Sequence, residues 1–192
     1  LLIQGTNLIL PLVTFPYLVR VLESEKYGLV MIAQSLMKFL IIIVDFGFNI
    51  SATREIAQIK NDKKKLSQFY WSIIFIKIAL LILTFSLLVG LTLSVNKFKL
   101  DPLIYLFSFG LVLGQGVFPT WFFQGIEKMQ VITIINLIAK VFFTIAIFFV
   151  VLSPEDYVYV PILNGVGFVV AGVLGFIYSL RYVQFVLPKF ES

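Results

Sequence analysis

The sequence holds no cysteine and no histidine. Disulfides, thiolate and imidazole metal sites, and every catalytic arrangement built on a thiol or an imidazole are therefore excluded. Charge is scarce too. Asp, Glu, Lys and Arg make up 13% of the 192 residues, about half of the ~25% usual in soluble domains. No glycine-rich phosphate loop, nucleotide motif or acidic metal cluster appears. The only adjacent acids, Glu155 and Asp156, lie in a short connection between apolar runs. No cofactor and no metal is expected, and an enzyme is not the expected reading. The chain opens on Leu1 without an initiator Met, a charged n-region or a small-residue cleavage site. It reads as a fragment lacking its first residues and much of a C-terminal part, not as one that starts with a signal peptide.

What is present is apolar surface. Hydrophobic residues are 60% of the chain and the mean hydropathy is +1.02. The net charge of +5 does not mark a nucleic-acid binder, because its cations gather in short connections between apolar runs, as membrane topology requires. Six runs are long enough to cross a bilayer as helices, at about 1–21, 27–50, 69–95, 102–124, 129–152 and 158–182. They are continuous rather than alternating, which excludes barrel strands. The expected fold is an all-α membrane protein, a bundle of six transmembrane helices. The longest connection, 51–68, carries Arg54, Lys60, Lys63, Lys64 and Lys65. The positive-inside rule makes it cytoplasmic. By alternation Lys128, Arg181 and Lys189 lie inside, and Glu23 to Lys26, Lys97 to Asp101 and Glu155 with Asp156 lie outside. Both termini of the segment are then cytoplasmic. The Lys63 to Lys65 run is read first as a topology anchor, with anionic headgroup binding as the alternative.

Four lone charges interrupt the apolar helices: Lys38, Asp45, Lys77 and Lys140. A charge at the centre of a membrane helix costs roughly 2.5–3.5 kcal/mol on insertion scales, so water, a counter-charge or a ligand must offset it. In the second run Gln34, Lys38, Asp45 and Asn49 form one narrow stripe at 100° per residue. Thr133, Asn136, Lys140 and Thr144 repeat the pattern in the fifth. Gln4, Asn7 and Thr14 mark one side of the first, and Lys77 and Thr84 share a face of the third. Such stripes turn from lipid toward each other or a cavity. Asp45 and Lys77 lie at similar depth and make either a buried ion pair or part of that cavity. Lys38 and Lys140 sit at mid-span with no carboxylate at their depth. They line a cationic cavity for an anionic ligand, or they snorkel and pair with carbonyls. Arg20, at the outer end of the first run, lines the same cavity or rests at the interface.

Pro11, Pro16 and Pro119 are expected to bend their helices. Gly110, Gly114 and Gly116, with Gly165, Gly167, Gly172 and Gly175, indicate close helix packing or a hinge. Tyr17, Tyr27, Tyr70, Trp71, Trp121, Tyr157, Tyr159 and Tyr182 fall near run ends, where an interfacial belt accounts for them.

Four segments carry a family resemblance: PLVTFPYLVRVLESEKYGLVMIAQS (11–35), DFGFNISATREIA (45–57), FPTWFFQGIEKMQVITIINLIAK (118–140) and SPEDYVYVPILNGVG (153–167). Together they resemble the Wzx-type polysaccharide flippases, a branch of the multidrug/oligosaccharidyl-lipid/polysaccharide exporter superfamily. The resemblance implies a transporter of an O-antigen or related repeat unit. Its substrate is an undecaprenyl-pyrophosphate-linked oligosaccharide, moved across the bacterial cytoplasmic membrane by alternating access. It also implies two lobes in a fold of 12–14 helices, with this chain as the first lobe. Lys38, Lys140, Arg20 and Lys77 are then the candidate binding cations, and Gln34, Asp45, Asn49 and Asn136 the polar lining. Membrane lipids and other polysaccharide assembly proteins are the expected partners, and nucleic acid is not. A drug or organic-cation antiporter of the same superfamily remains an alternative, though it needs cavity carboxylates rather than lysines. A non-transporting scaffold of a glycan assembly complex is the other.

Overall fold

The computed structural model describes residues 12–96, 98–99 and 101–186, and the backbone of 2–11 and 97. The side chains of Gln4, Asn7, Pro11 and Lys97, and all of Lys189, lie outside the described residues. Every regular element among the described residues is helical. Helix α1 runs Leu2–Asp45, α2 Phe48–Ile59, α3 Lys63–Ser94 and α4 Asn96–Lys99. Then follow α5 Pro102–Val117, α6 Thr120–Gly125, α7 Met129–Val150, a 3-10 turn Pro154–Val158 and α8 Tyr159–Ser179. Five stretches are long and apolar enough to cross a membrane: Leu12–Ile59, Lys63–Ser94, Pro102–Gly125, Met129–Val150 and Pro154–Ser179.

The first of these is 48 residues long, more than twice the roughly 20 that one crossing needs. Its outer connection, expected over Glu23 to Lys26, shrinks to one residue. Glu23 leaves the helix at φ 58°, ψ 170°, and the chain resumes helical geometry directly after it. Positive φ costs a non-glycine residue roughly 1–2 kcal/mol. Ser24 to Lys26 are polar yet compatible with a helix, so composition alone overstates the loop.

At the other end of this stretch Phe46 (φ 41°) and Gly47 (φ 80°) turn left-handed in succession and separate α1 from α2. The span expected to reach residue 50 therefore stops at Asp45. Much of the 51–68 connection is helix as well. Phe48, Ala52 and Ile56 repeat at four residues and are buried on one side of α2, while Arg54 and Glu55 are exposed. Helix α3 begins at Lys63, ahead of the expected residue 69, because the Asp62 carboxylate accepts hydrogen bonds from the amides of Lys64 and Lys65. The fourth span is cut at Phe118 and Pro119, where α5 gives way to α6. A proline has no amide to continue the ladder.

Glycine sets how closely α5 and α8 approach. A Cβ on Gly114 would stand 2.2 Å from the Phe168 carbonyl carbon, and one on Gly110 would stand 2.9 Å from the Gly165 Cα. Packing, rather than a hinge, is what these positions show.

The buried apolar side chains form two clusters. One joins Leu22, Val30, Met37, Leu40 and Val44 of α1 to Ile104 and Val112 of α5 and Ile147 of α7. The other joins Phe48 and Ile56 of α2 to Tyr70 and Ile74 of α3 and Trp121, Phe122 and Phe123 of α6. Tyr70 and Trp121 are fully buried in it and Tyr157 is buried at the opposite end. Packing between helices, rather than a headgroup layer, covers these three rings.

Candidate functional site

Between the two clusters lies a polar layer. It falls between Val44 and Phe48 on the first stretch, between Ile74 and Leu81 on α3, and between Val112 and Phe118 on α5. Asp45, Lys77 and Gln115 occupy those gaps, and Asn49 follows Phe48 one helical turn after Asp45. Asn136 and Lys140 of α7 join them around a cavity of about 450 Å³, which Asp45, Asn49 and Gln115 also line. Its remaining wall includes Gly114, Phe168 and Ala171, so the α5–α8 contact closes one side.

Each polar side chain has a structural reason to be there. Asp45 is the last residue of α1, and the left-handed pair that follows ends the helix beside the cavity. Lys77 is 3% exposed, Asp45 is 31% exposed, and the Lys77 ammonium donates to Asp45 Oδ1 at 3.2 Å. Desolvating two charges is offset only by close geometry and further hydrogen bonds. Asn49 supplies one, donating from Nδ2 to Asp45 Oδ2 at 3.0 Å. The Asn49 Oδ1 atom is buried without a hydrogen-bond partner among the described residues. An unpaired buried carbonyl costs roughly 1–3 kcal/mol, which a donor entering the cavity would recover.

The sequence-predicted residues divide into two sets. Asp45, Asn49, Asn136 and Lys140 come together at the cavity, and Lys77 reaches it through Asp45. Gln34, Lys38 and Arg20 do not line it. Lys38 shares a helical face with Asp45 two turns away, about 10 Å along the axis, and is exposed, as is Arg20 on the far side of the Glu23 kink. Gln34 is half-buried. Three further polar residues line the cavity without having been among the candidates. Thr120 follows Pro119 in α6, Thr133 was assigned to a stripe but to no site, and Gln115 lies in the fourth run. Gln115 had a signal, being the one amide in the long apolar stretch from Leu103 to Val117.

At one end of the bundle Lys26 rests over the Tyr157 ring, 4.4 Å from its centroid, and Tyr157 donates to Asp101 Oδ1 at 2.9 Å. At the other end Lys60 donates to Glu127 Oε1 at 2.7 Å. That hydrogen bond holds the Glu127 carboxyl below its ordinary pKa.

A helical protein with five long apolar stretches, an apolar exterior and a buried layer of charges and amides is a multi-pass membrane protein with a polar interior. The chain matches the polysaccharide biosynthesis protein family over residues 1–191, and it belongs to that family. It is 33% identical over 172 residues to an Escherichia coli K12 protein named "Putative O-antigen transporter", an alignment covering 90% of this chain and 41% of that protein. A Shigella dysenteriae protein of the same name is 32% identical over 182 residues, covering 94% of this chain and 45% of its own length. The chain therefore spans less than half the length of these curated relatives. No solved structure matches it.

Proposed function

We propose that this chain is the first helical bundle of a flippase that moves an undecaprenyl-pyrophosphate-linked oligosaccharide, an O-antigen or related repeat unit, across the bacterial cytoplasmic membrane. The observation that carries the reading is the polar layer, which holds Asp45, Lys77, Asn136 and Lys140 at one level between apolar clusters. Such a layer is desolvated at a cost, and a polar path for an anionic substrate gives it a use. The likeness to relatives named as O-antigen transporters supports the substrate class.

Six crossings follow if Glu23 marks a turn at the membrane surface between two spans of α1. With the basic connections inside, both ends of the segment are cytoplasmic. Lys140 faces the cavity, and Asp45 is engaged by Lys77. That engagement weakens the organic-cation reading, which needs an available carboxylate. Arg20 and Lys38 are exposed on α1. Charge on the outer face of a membrane helix is costly against lipid. Their exposure therefore supports a second bundle facing α1 across a hydrated path, and the relatives' greater length supplies room for one. Rocking of one bundle against the other then gives alternating access, with the pyrophosphate passing among Arg20, Lys38 and Lys140. Transport is the role, with no catalytic step and no cofactor.

The test uses the full polypeptide in a strain whose own flippase is deleted. Lys38→Ala and Lys140→Ala should each remove surface glycan while leaving the protein inserted in the membrane. Normal surface glycan in both variants overturns the reading.

A further inference from the structure

A second cavity, of about 420 Å³, lies at the end of the bundle that carries the basic connections. Four cations converge on it from three connections: the α2–α3 turn, the residues before α7 and the segment after α8. Lys60 follows the last turn of α2, Lys63 opens α3, Lys128 precedes α7 and Arg181 follows α8. Asn61 and Gln184 add amides, and no carboxylate is among the lining residues. A topology anchor needs only basic residues on the right side of the membrane. It does not need residues from three connections to share one concave site.

The site is also partly ordered in advance. The Lys128 ammonium stands over the Tyr182 ring, 5.0 Å from its centroid, and the Arg181 guanidinium stands 5.1 Å from that of Tyr178. The segment after α8 is tied down as well. Trp71 donates its indole N–H to the Gln184 carbonyl at 2.9 Å, and the Gln184 amide donates to Ser67 Oγ at 2.9 Å. Lys60 spends part of its charge on Glu127, which lies just outside the lining. Lys63, Lys128 and Arg181 keep theirs for the cavity. Depth identifies the level of the ligand. The cavity opens where α2, α3, α7 and α8 end, beside Tyr178 and Tyr182, which is where headgroups meet water. Leu180 and Phe185, the chain neighbours of Arg181 and Gln184, are exposed, which offers acyl chains apolar surface beside the charged site.

We propose that this cavity binds the phosphate of an anionic glycerophospholipid headgroup. The guanidinium supplies a planar fork suited to two phosphate oxygens, and the ammonium groups supply point charge. The site is separate from the polar layer, since it shares no lining residue with the first cavity.

Native mass spectrometry of the full polypeptide, released from nanodiscs, gives the test. The probes are dioleoylphosphatidylglycerol, dioleoylphosphatidylcholine and inorganic phosphate. Retention of phosphatidylglycerol over phosphatidylcholine is expected in the wild type. Removing two of the site's charges with Lys128→Gln and Arg181→Gln together should weaken that retention at least a hundredfold, taking roughly 1.5 kcal/mol for each charge-assisted hydrogen bond lost. Lys63→Gln keeps both ring contacts and should weaken it about tenfold on the same scale, so a folding defect in the double variant cannot decide the matter. Lys64→Gln with Lys65→Gln removes two exposed charges outside the lining and should leave retention unchanged. Inorganic phosphate at millimolar concentration should not displace the lipid. Displacement by phosphate alone assigns the cavity to a free anion and overturns the headgroup assignment. Equal losses in the lining and non-lining variants show diffuse attraction and overturn the site.

Discussion

At the scale of a single residue, Lys77 carries the most consequence. It is buried to 3% exposure and pairs with Asp45 at 3.2 Å. Removing one member of a buried pair strands the other, typically at a cost of 3–5 kcal/mol. Asp45 keeps 31% exposure toward the cavity, so water screens part of that loss. Lys77→Met should therefore cost about 3 kcal/mol, at the low end of the range. Asp45→Asn should cost at least as much, because the ammonium it leaves behind is the more deeply buried partner. The double variant should recover much of the loss. The fraction of monodisperse protein surviving a heating series in detergent measures all three. Additive losses in the double variant would show that the two side chains act independently. The equal depth of these residues was legible in the sequence, since each stands alone in an apolar run. The choice between an ion pair and separate roles was not, because it depends on how α1 and α3 are rotated against each other.

At the scale of the element, the contact between α5 and α8 rests on hydrogen atoms where Cβ atoms would collide. Gly114→Ala places a methyl group 2.2 Å from backbone on α8. Backbone cannot swing aside as a side chain can, so the two helices must separate and the cavity wall must move with them. The melting temperature should fall well below wild type. Gly90→Ala is the matched control. Nothing lies within 4 Å of its Cβ position, and alanine is favoured over glycine within a helix by roughly 0.8–1 kcal/mol. Its melting temperature should hold or rise. Glu23 offers the reverse case. Its φ of 58° is easy for glycine and costs an L side chain roughly 1–2 kcal/mol, so Glu23→Gly should stabilise the kink. A fall in melting temperature would show that the carboxylate contributes more than the strain removes. The glycine spacing in the two runs announced close packing, but it could not say which glycine met which. The kink was hidden for a different reason. Helix propensity is a weak prior, and the polar residues Glu23 to Lys26 suggested a loop when only one of them leaves the helix. The buried face of α2 was missed in the same way. Its 48, 52, 56 spacing is there in the sequence, but the charges around it are equally those of a solvated connection.

At the scale of the whole molecule, two apolar clusters hold a polar layer between them, and Lys140 is the cation that the layer presents to its main cavity. Two accounts of Lys140 make opposite predictions. If it holds an anionic group, charge is what matters, and activity should rank wild type and Lys140→Arg first, Lys140→Gln next and Lys140→Glu last. A charge-assisted hydrogen bond contributes roughly 1.5–3 kcal/mol, so Lys140→Gln should lose about ten- to a hundredfold in transport. If Lys140 instead fills space against α8, size is what matters. Lys140→Gln should then be tolerated, and the wider guanidinium of Lys140→Arg should disturb the wall near Phe168 and Ala171 most. Surface glycan in a flippase-deleted strain, normalised to inserted protein, separates the two orders. The intermediate variant decides the question, because loss in Lys140→Glu alone would be expected of any reversed charge beside Asp45. A ranking led by charge ties the layer to an anion in transit. A ranking led by size would leave the layer as an internal brace and move the search for the pyrophosphate site to the exposed Lys38 and Arg20 of α1.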